Sequence, residues 1–184
     1  MASVLVPLAP GCEEIEAVTV IDLMRRAGIE VLSAALNDGP VKASRGTVLI
    51  ADTSLDNALS REYDMVVLPG GQPGANNLND DARIQALLQS MAKQGKYTAA
   101  ICAAPKVLAT AGLLEGKRAT SFPGVLEELQ LPATQLESSA VVKDGKVITS
   151  RGPGTAMDFA LELIELLVGK TKRDEVEAGL QRPG

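Results

Sequence analysis

Residues 97–105 read YTAAICAAP, and this stretch indicates the fold class of the 184-residue chain. Tyr97–Ile101 is a mostly apolar run of strand length. Pro105 suits the first turn of a helix, where a missing N–H costs nothing. Cys102 stands between them among small alanines. A buried strand that turns at once into a helix is typical of α/β proteins with a parallel sheet.

The same alternation of strands and helices extends along the chain. We predict further strands at Ser3–Ala9, Glu30–Ala35, Asp64–Leu68 and Arg118–Ser121, and hairpins pairing Val41–Ala43 with Thr47–Ala51 and Ala140–Lys143 with Lys146–Ser150. Helices are predicted at Glu13–Ala27, Asp81–Gln94, Ala103–Ala111 and Pro153–Val168, with a short one from Lys170. No linker or repeat interrupts this pattern. We therefore expect one α/β domain over residues 1–184, with a mainly parallel sheet covered by helices on both faces.

Composition narrows the class of protein. A net charge of −5 without basic clusters argues against a nucleic-acid surface. Met1–Ala9 is apolar but too short and uncharged for a signal peptide, and no run approaches the ~18 apolar residues of a membrane span. Two cysteines provide no disulfide framework, so we expect reduced thiols and a cytoplasmic location.

The chain contains no histidine. Catalytic Cys–His and Ser–His–Asp arrangements within the chain are therefore excluded, as are the usual zinc sites. We expect no metal and no cofactor. Any chemistry has to use carboxylates, thiols, hydroxyls, backbone amides or a partner molecule.

Cys102 is the first candidate for that chemistry. Sites in parallel sheets form beyond the carboxyl ends of the strands, where Cys102 would lie. Its small neighbours permit the sharp turn that presents a nucleophile, and the N-terminus of the following helix is expected to lower its pKa. A small buried core residue explains its position equally well, so both interpretations stay open.

Glu16 and the glycines that follow a middle strand are the other candidates. Glu16 lies at the edge of the apolar face of the first helix, where burial would raise its pKa and allow it to donate a hydrogen bond to a thiolate. Complementing the helix dipole is the alternative for Glu16 and our preferred interpretation for Glu13 and Glu14. Backbone amides at Gly70-Gly71 could stabilise an oxyanion, although Gly-Gly after Pro is more often an ordinary turn.

Two further segments lie near these candidates. Cys12 is close to the first of the site loops, but we prefer to interpret it as a small turn residue. The loop from Arg151 to Thr155 is interpreted as an ordinary loop into a helix, or as packing around the site.

Five stretches, in order along the chain, resemble the ThiJ/PfpI superfamily, the family of the Parkinson-disease protein DJ-one, and look closest to its YajL-like bacterial branch. They are LAPGCEEIEA (8–17), MRRAGI (24–29), YDMVVLPGG (63–71), AAICAAP (99–105) and TSRGPGT (149–155). The resemblance implies a flavodoxin-like three-layer sandwich with a nucleophile elbow, and a homodimer.

The resemblance also implies roles for individual residues. Cys102 matches the family's easily oxidised nucleophile and Glu16 the protonated acid that hydrogen-bonds to it. The remaining matched positions are Gly71 and Ala103, whose amides would form the oxyanion pocket, and the pocket residues Gly70, Arg45, Pro153 and Gly154, with Arg45 reaching toward the partner's site.

Phe122 departs from the family pattern. Family members often carry a His-Pro where this chain reads Ser121-Phe122-Pro123, so Phe122 takes the histidine's place in the predicted pocket. An aromatic ring without a titratable nitrogen cannot move a proton, which argues against His-dependent protease chemistry.

Two hypotheses follow for the function. The first is a cysteine-dependent stress-response enzyme, a glutathione-independent glyoxalase (glyoxalase III-type lyase) or a deglycase, acting on reactive dicarbonyls or on glycated protein and nucleotide adducts. Its nucleophile would be a Cys102 thiolate and its acid–base group Glu16. The alternative is a redox sensor or redox-regulated chaperone without turnover, in which Cys102 is oxidised to sulfinic acid.

Overall fold

A computed structural model describes residues 1–182. Its main strands are β1 (Ser3–Leu8), β2 (Glu30–Ala35), β5 (Thr53–Ser54), β6 (Met65–Leu68), β7 (Tyr97–Ile101), β10 (Val141–Asp144) and β11 (Val147–Ser150). They form one seven-stranded sheet in the order β10-β11-β7-β6-β1-β2-β5. Every pair in it is parallel except the β10–β11 hairpin. The predicted mainly parallel α/β sheet is confirmed.

Short strands build two small ribbons beside this sheet. The antiparallel pair β3 (Val41–Lys42) and β4 (Val48–Leu49) is the predicted first hairpin; β3 begins as predicted and ends one residue early, and β4 is shorter than predicted at both ends. The second ribbon pairs β8 (Arg118–Ala119) in parallel with β9 (Gln135–Leu136). Neither β5 nor β9 was predicted, because two-residue polar strands carry no alternating pattern.

The helices form two packed groups. The α-helices are α1 (Glu14–Arg26), α2 (Leu55–Ala58), α3 (Gln72–Asp80), α4 (Ala82–Lys93), α5 (Pro105–Thr110), α6 (Ala156–Val168) and α7 (Lys170–Gly179), with 3₁₀ turns at Glu127–Leu129 and Pro153–Thr155. Helix α6 packs against α1 and α7, while α3, α4 and α5 pack against one another. None of the helices in residues 1–182 is long and apolar enough to cross a membrane.

The core is aliphatic. Four aromatic residues occur in the chain, and of these Phe159 and Tyr63 are buried. The strands β1, β6 and β7 are almost entirely inaccessible, as expected for central strands covered on both faces. Because these three strands are neighbours, the loops at their carboxyl ends meet at one edge of the sheet.

Candidate active site

Cys102 follows β7 directly and has a left-handed backbone with φ of 64°. For a non-glycine residue this conformation costs on the order of 1–3 kcal/mol, so neighbouring contacts have to hold it. The Cys102 N–H donates to the Ser150 carbonyl (3.0 Å), and the Cys102 carbonyl accepts from the Phe122 N–H (2.8 Å). The predicted strand-to-helix elbow is present, clamped from β11 on one side and from the segment after β8 on the other.

Glu16 is completely buried in the first turn of α1. Its Oε2 accepts a hydrogen bond from the Gly70 N–H (2.7 Å), whereas its Oε1 is buried without a hydrogen-bond partner in the described part of the chain. The Cys102 thiol is the neighbouring side chain that lowers the pKa of this carboxyl. The helix-dipole interpretation does not account for a carboxyl in this environment.

Gly70 lies between the acid and the thiol. A Cβ atom there would stand 2.6 Å from Cys102 Cβ and 2.7 Å from Glu16 Oε2, closer than real side chains approach. Gly71 has a φ of 82°, and a Cβ on it would meet the Gly11 carbonyl oxygen at 2.5 Å. Both glycines are therefore required by close packing, which an ordinary turn would not demand.

Burial is the largest influence on the pKa values of Glu16 and Cys102. Burial raises the pKa of Glu16 to about 7, opposed by hydrogen bonds from the Gly70 amide and the Cys102 thiol. Burial first, and then the negative charge of Glu16, raise the pKa of Cys102 to about 12, while the Gly71 and Ala103 amides lower it. Two acids this close share protons, so a proton on Glu16 removes the charge that opposes the thiolate.

The expected lowering of the Cys102 pKa by the following helix is therefore wrong in its net direction. Cys102 is only 8% exposed, and helix α5 is a short one that begins three residues later. Desolvation outweighs the nearby amides. Nucleophilic character at Cys102 stays a prediction, and it requires Glu16 in its protonated, uncharged form.

The other residues predicted for the pocket have fewer contacts with Cys102. The backbone of Phe122 contacts Cys102 as described, and its ring, 49% exposed, packs beside Gly152. Pro153 and Gly154 belong to the 3₁₀ turn that follows β11 and begins three residues past Ser150. Arg45 is exposed at the tip of the β3–β4 hairpin, without a described contact to Cys102 within this chain.

Glu14 connects that hairpin to α1. Its carboxylate accepts from the Ser44 hydroxyl (3.0 Å) and from the backbone amides of Arg45 (2.9 Å) and Thr47 (3.4 Å). Burial alone would raise its pKa, but its own backbone amide and these donors lower the pKa of Glu14 to about 2. The sequence had indicated only a helix-dipole role for Glu14.

Glu13 is the site residue that sequence reasoning missed. It is 8% exposed, and its Oε2 accepts from the Glu16 N–H (2.8 Å), which makes it the N-cap of α1. The signal was present in the sequence, because an acid three residues before Glu16 has the spacing of an N-cap and its N3 partner. The dipole interpretation preferred for Glu13 is insufficient.

Cys12 is fully buried in the loop between β1 and α1. Burial, followed by the charge of Glu14, raises its pKa to about 11. The Cys12 carbonyl accepts from the Ser44 N–H (2.8 Å), and Gly74 packs against its backbone. These contacts fit the interpretation of Cys12 as a small residue of a tight turn.

A raised pKa at Glu16 predicts a specific pH dependence of stability. The ordinary pKa is 4.5 and the folded value about 7, so the folded chain binds more protons between these values and becomes less stable as pH rises through that window. This difference corresponds to about 3 kcal/mol. Urea unfolding of wild type and Glu16→Gln at about pH 4 and pH 8 measures it, since Gln does not titrate. An equal stability difference between the two proteins at both pH values would contradict the raised pKa.

Comparison with known proteins agrees with this architecture. The model of the DJ-1/PfpI family matches residues 2–166. Protein dj-1beta of Drosophila melanogaster is 48% identical over 179 residues, which cover 97% of this chain and 96% of that protein. Glutathione-independent glyoxalase DJR-1.2 of Caenorhabditis elegans is 35% identical, covering 95% of this chain and 93% of that protein.

A solved structure shows the same fold. The structure of oxidised Toxoplasma gondii DJ-1 superposes with a TM-score of 0.94 at 40% identity and covers 100% of both chains. The flavodoxin-like α/β sandwich is thereby confirmed, while the YajL-like branch stays a prediction. By the match of its sequence and of its fold, this chain belongs to the DJ-1/PfpI family.

Proposed function

We propose that this protein is a cysteine-dependent stress-response enzyme that converts reactive 2-oxoaldehydes to hydroxy acids without glutathione. The observation that carries the proposal is the buried pair of Glu16 and Cys102, whose proton can rest on the carboxyl group. The similarity to a relative named as a glutathione-independent glyoxalase supports the same class of reaction. With no histidine in the chain, Glu16 is the acid–base group at hand.

The reaction conserves atoms and electrons. The Cys102 thiolate adds to the aldehyde carbon of methylglyoxal, and the resulting oxyanion takes a proton to give a hemithioacetal. Glu16 removes the proton from that carbon and returns a proton to the neighbouring carbon, which leaves a lactoyl thioester on Cys102. Water hydrolyses the thioester to lactate and frees the thiol, so one carbon is oxidised and its neighbour reduced.

Backbone amides would stabilise the negative oxygen in this sequence. The amides of Gly71 and Ala103 already act on the Cys102 sulfur, so they are directed at the place where an adduct forms. Preorganised donors of this kind are often the largest contribution to transition-state stabilisation. Release of lactate from methylglyoxal by the purified protein tests the proposal, and no release above the protein-free rate would refute it.

Deglycation of protein or nucleotide adducts would use the same first step. The thiolate would attack the carbonyl-derived carbon of an early adduct, and the amine or thiol of the adduct would leave. Partly exposed Phe122 and the turn at Pro153-Gly154 would border the larger substrate.

A redox sensor is the second candidate, and one observation favours it. Among residues 1–182, Glu16 Oε1 is a buried oxygen without a partner, suited to donate a hydrogen bond to an oxidised Cys102 when protonated. The similar Toxoplasma gondii protein has been solved in an oxidised form. Intact mass after mild peroxide treatment should show two added oxygen atoms in wild type and none in Cys102→Ser. Equal oxidation of both proteins would contradict a sensor at Cys102.

We also propose a homodimer formed through α1 and the β3–β4 hairpin. Ile15 and Val18 on α1 and Val48 and Ile50 on the hairpin are large apolar side chains that are 47–86% exposed. An exposed apolar group of this kind is typical of an interaction surface. It would also bring Arg45 toward a partner's site. A single-chain mass in light scattering at micromolar concentration would contradict the dimer.

A further inference from the structure

Three hydrogen bonds form a closed ring at the start of α1. The Glu13 N–H donates to the Gly70 carbonyl (2.9 Å), and the Gly70 N–H donates to Glu16 Oε2 (2.7 Å). The Glu16 N–H donates to Glu13 Oε2 (2.8 Å) and closes the ring. In an ordinary capping box the third helical residue bonds back to the N-cap amide. Here the backbone N–H and carbonyl of Gly70 stand between the two glutamates, so the helix cap and the candidate site share the same hydrogen bonds.

The charge of Glu13 acts unequally on the acid and the thiol. Both carboxyls are buried, so their interaction is weakly screened by salt. Glu13 is among the groups that raise the pKa of Glu16, whereas the largest influences on the pKa of Cys102 are burial, Glu16 and the Gly71 and Ala103 amides. A negative charge that acts more strongly on one member of a proton-sharing pair favours the form with the proton on that member.

We propose that Glu13 is a positioning residue for this site: its carboxylate fixes the turn that carries Glu16, and its negative charge keeps the shared proton on Glu16. In the ionised form of the pair, the proton would lie on Glu16 Oε1, which has no hydrogen-bond partner in residues 1–182, and the negative charge on the sulfur. This inference rests on the proposed roles of Cys102 and Glu16.

Among the titratable groups around Glu16, Glu13 is the one whose contacts fit the positioning role. Cys102 faces Glu16 from the elbow after β7, and Cys12, from the loop before α1, feels the charge of Glu16. Glu14 on the same turn directs its carboxylate to the hairpin amides. Glu13 is thus the carboxylate that both contacts the Glu16 backbone and acts on its charge.

The test compares Glu13→Gln with wild type by the ultraviolet absorbance of the thiolate and by the pH profile of Cys102 alkylation with iodoacetamide. Gln keeps an oxygen for the Glu16 N–H but removes the charge. We expect the thiolate signal and the alkylation rate near neutral pH to fall by roughly 3- to 10-fold, as for up to about one unit of pKa. Cys102→Ser gives the background from Cys12. Asp22→Asn, a charge loss on the exposed side of α1, should match wild type.

A second pair of variants separates charge from structure. Asp and Asn are both strong N-caps and differ in charge, so Glu13→Asp should retain the thiolate signal and Glu13→Asn should lose it even if Glu13→Gln folds poorly. Equal signals in Glu13→Asp and Glu13→Asn would overturn the inference. Because these readouts need no substrate, a wild type that forms no lactate would refute the proposed function alone.

Discussion

Cys102→Ser is expected to reduce lactate formation from methylglyoxal to the rate seen without protein. A serine hydroxyl ionises far less readily than a thiol, and this chain has no histidine to remove its proton. The loss should be at least as large as the ~10²–10⁴-fold effect of removing an acid–base group. Lactate measured by NMR over time gives the rate directly.

Cys12→Ser is the matched control for this experiment. It makes the same atomic change in the second cysteine, which is fully buried in the β1–α1 loop. We expect it to retain activity per folded molecule, with some loss of stability from burying a hydroxyl. Activity in Cys102→Ser comparable with that of Cys12→Ser would end the assignment of Cys102 as nucleophile.

Glu16→Gln should lower the turnover number by about 10²–10⁴-fold, because an amide cannot accept and return a proton. The Gln oxygen can still accept from the Gly70 N–H, which leaves its NH₂ group directed toward the Cys102 sulfur. The thiol should therefore still react with iodoacetamide while proton transfer between the two carbons fails.

The pattern across two assays makes this prediction specific. Retained alkylation with lost lactate release places Glu16 in proton transfer after the addition of the thiolate. Loss of both activities would mean that Glu16 acts only by orienting or ionising Cys102. A turnover number like that of wild type would remove Glu16 from the mechanism.

Much of the fold could be predicted from the sequence because most long elements carry regular apolar patterns. The strands at Glu30–Ala35 and Tyr97–Ile101 have the bounds read from the sequence. Helix α3 at Gln72–Asp80 was missed, since Pro73, Gly74 and its asparagines are poor interior helix residues. Gly74 is explained by packing, because a side chain at this position would collide with the Cys12 backbone.

Only part of the candidate site could be predicted from the sequence. Cys102 and Glu16 could be located from their positions after a strand and on a helix face, but two properties could not. The net rise of the Cys102 pKa depends on desolvation by the assembled fold. The ring through Glu13 depends on a Gly70 peptide 54 residues from Glu16, and spacing along one helix contains no information about such a contact.

At position 102, the residue that would suit the left-handed backbone best is glycine, whereas the proposed chemistry needs a thiol. Glycine adopts this conformation without steric cost, so selection for thermal endurance alone would favour glycine at the elbow. A family member that does not need the thiol could carry glycine there without this backbone strain. A side chain at this φ, where glycine would be unstrained, is therefore what a working thiol at the elbow would require.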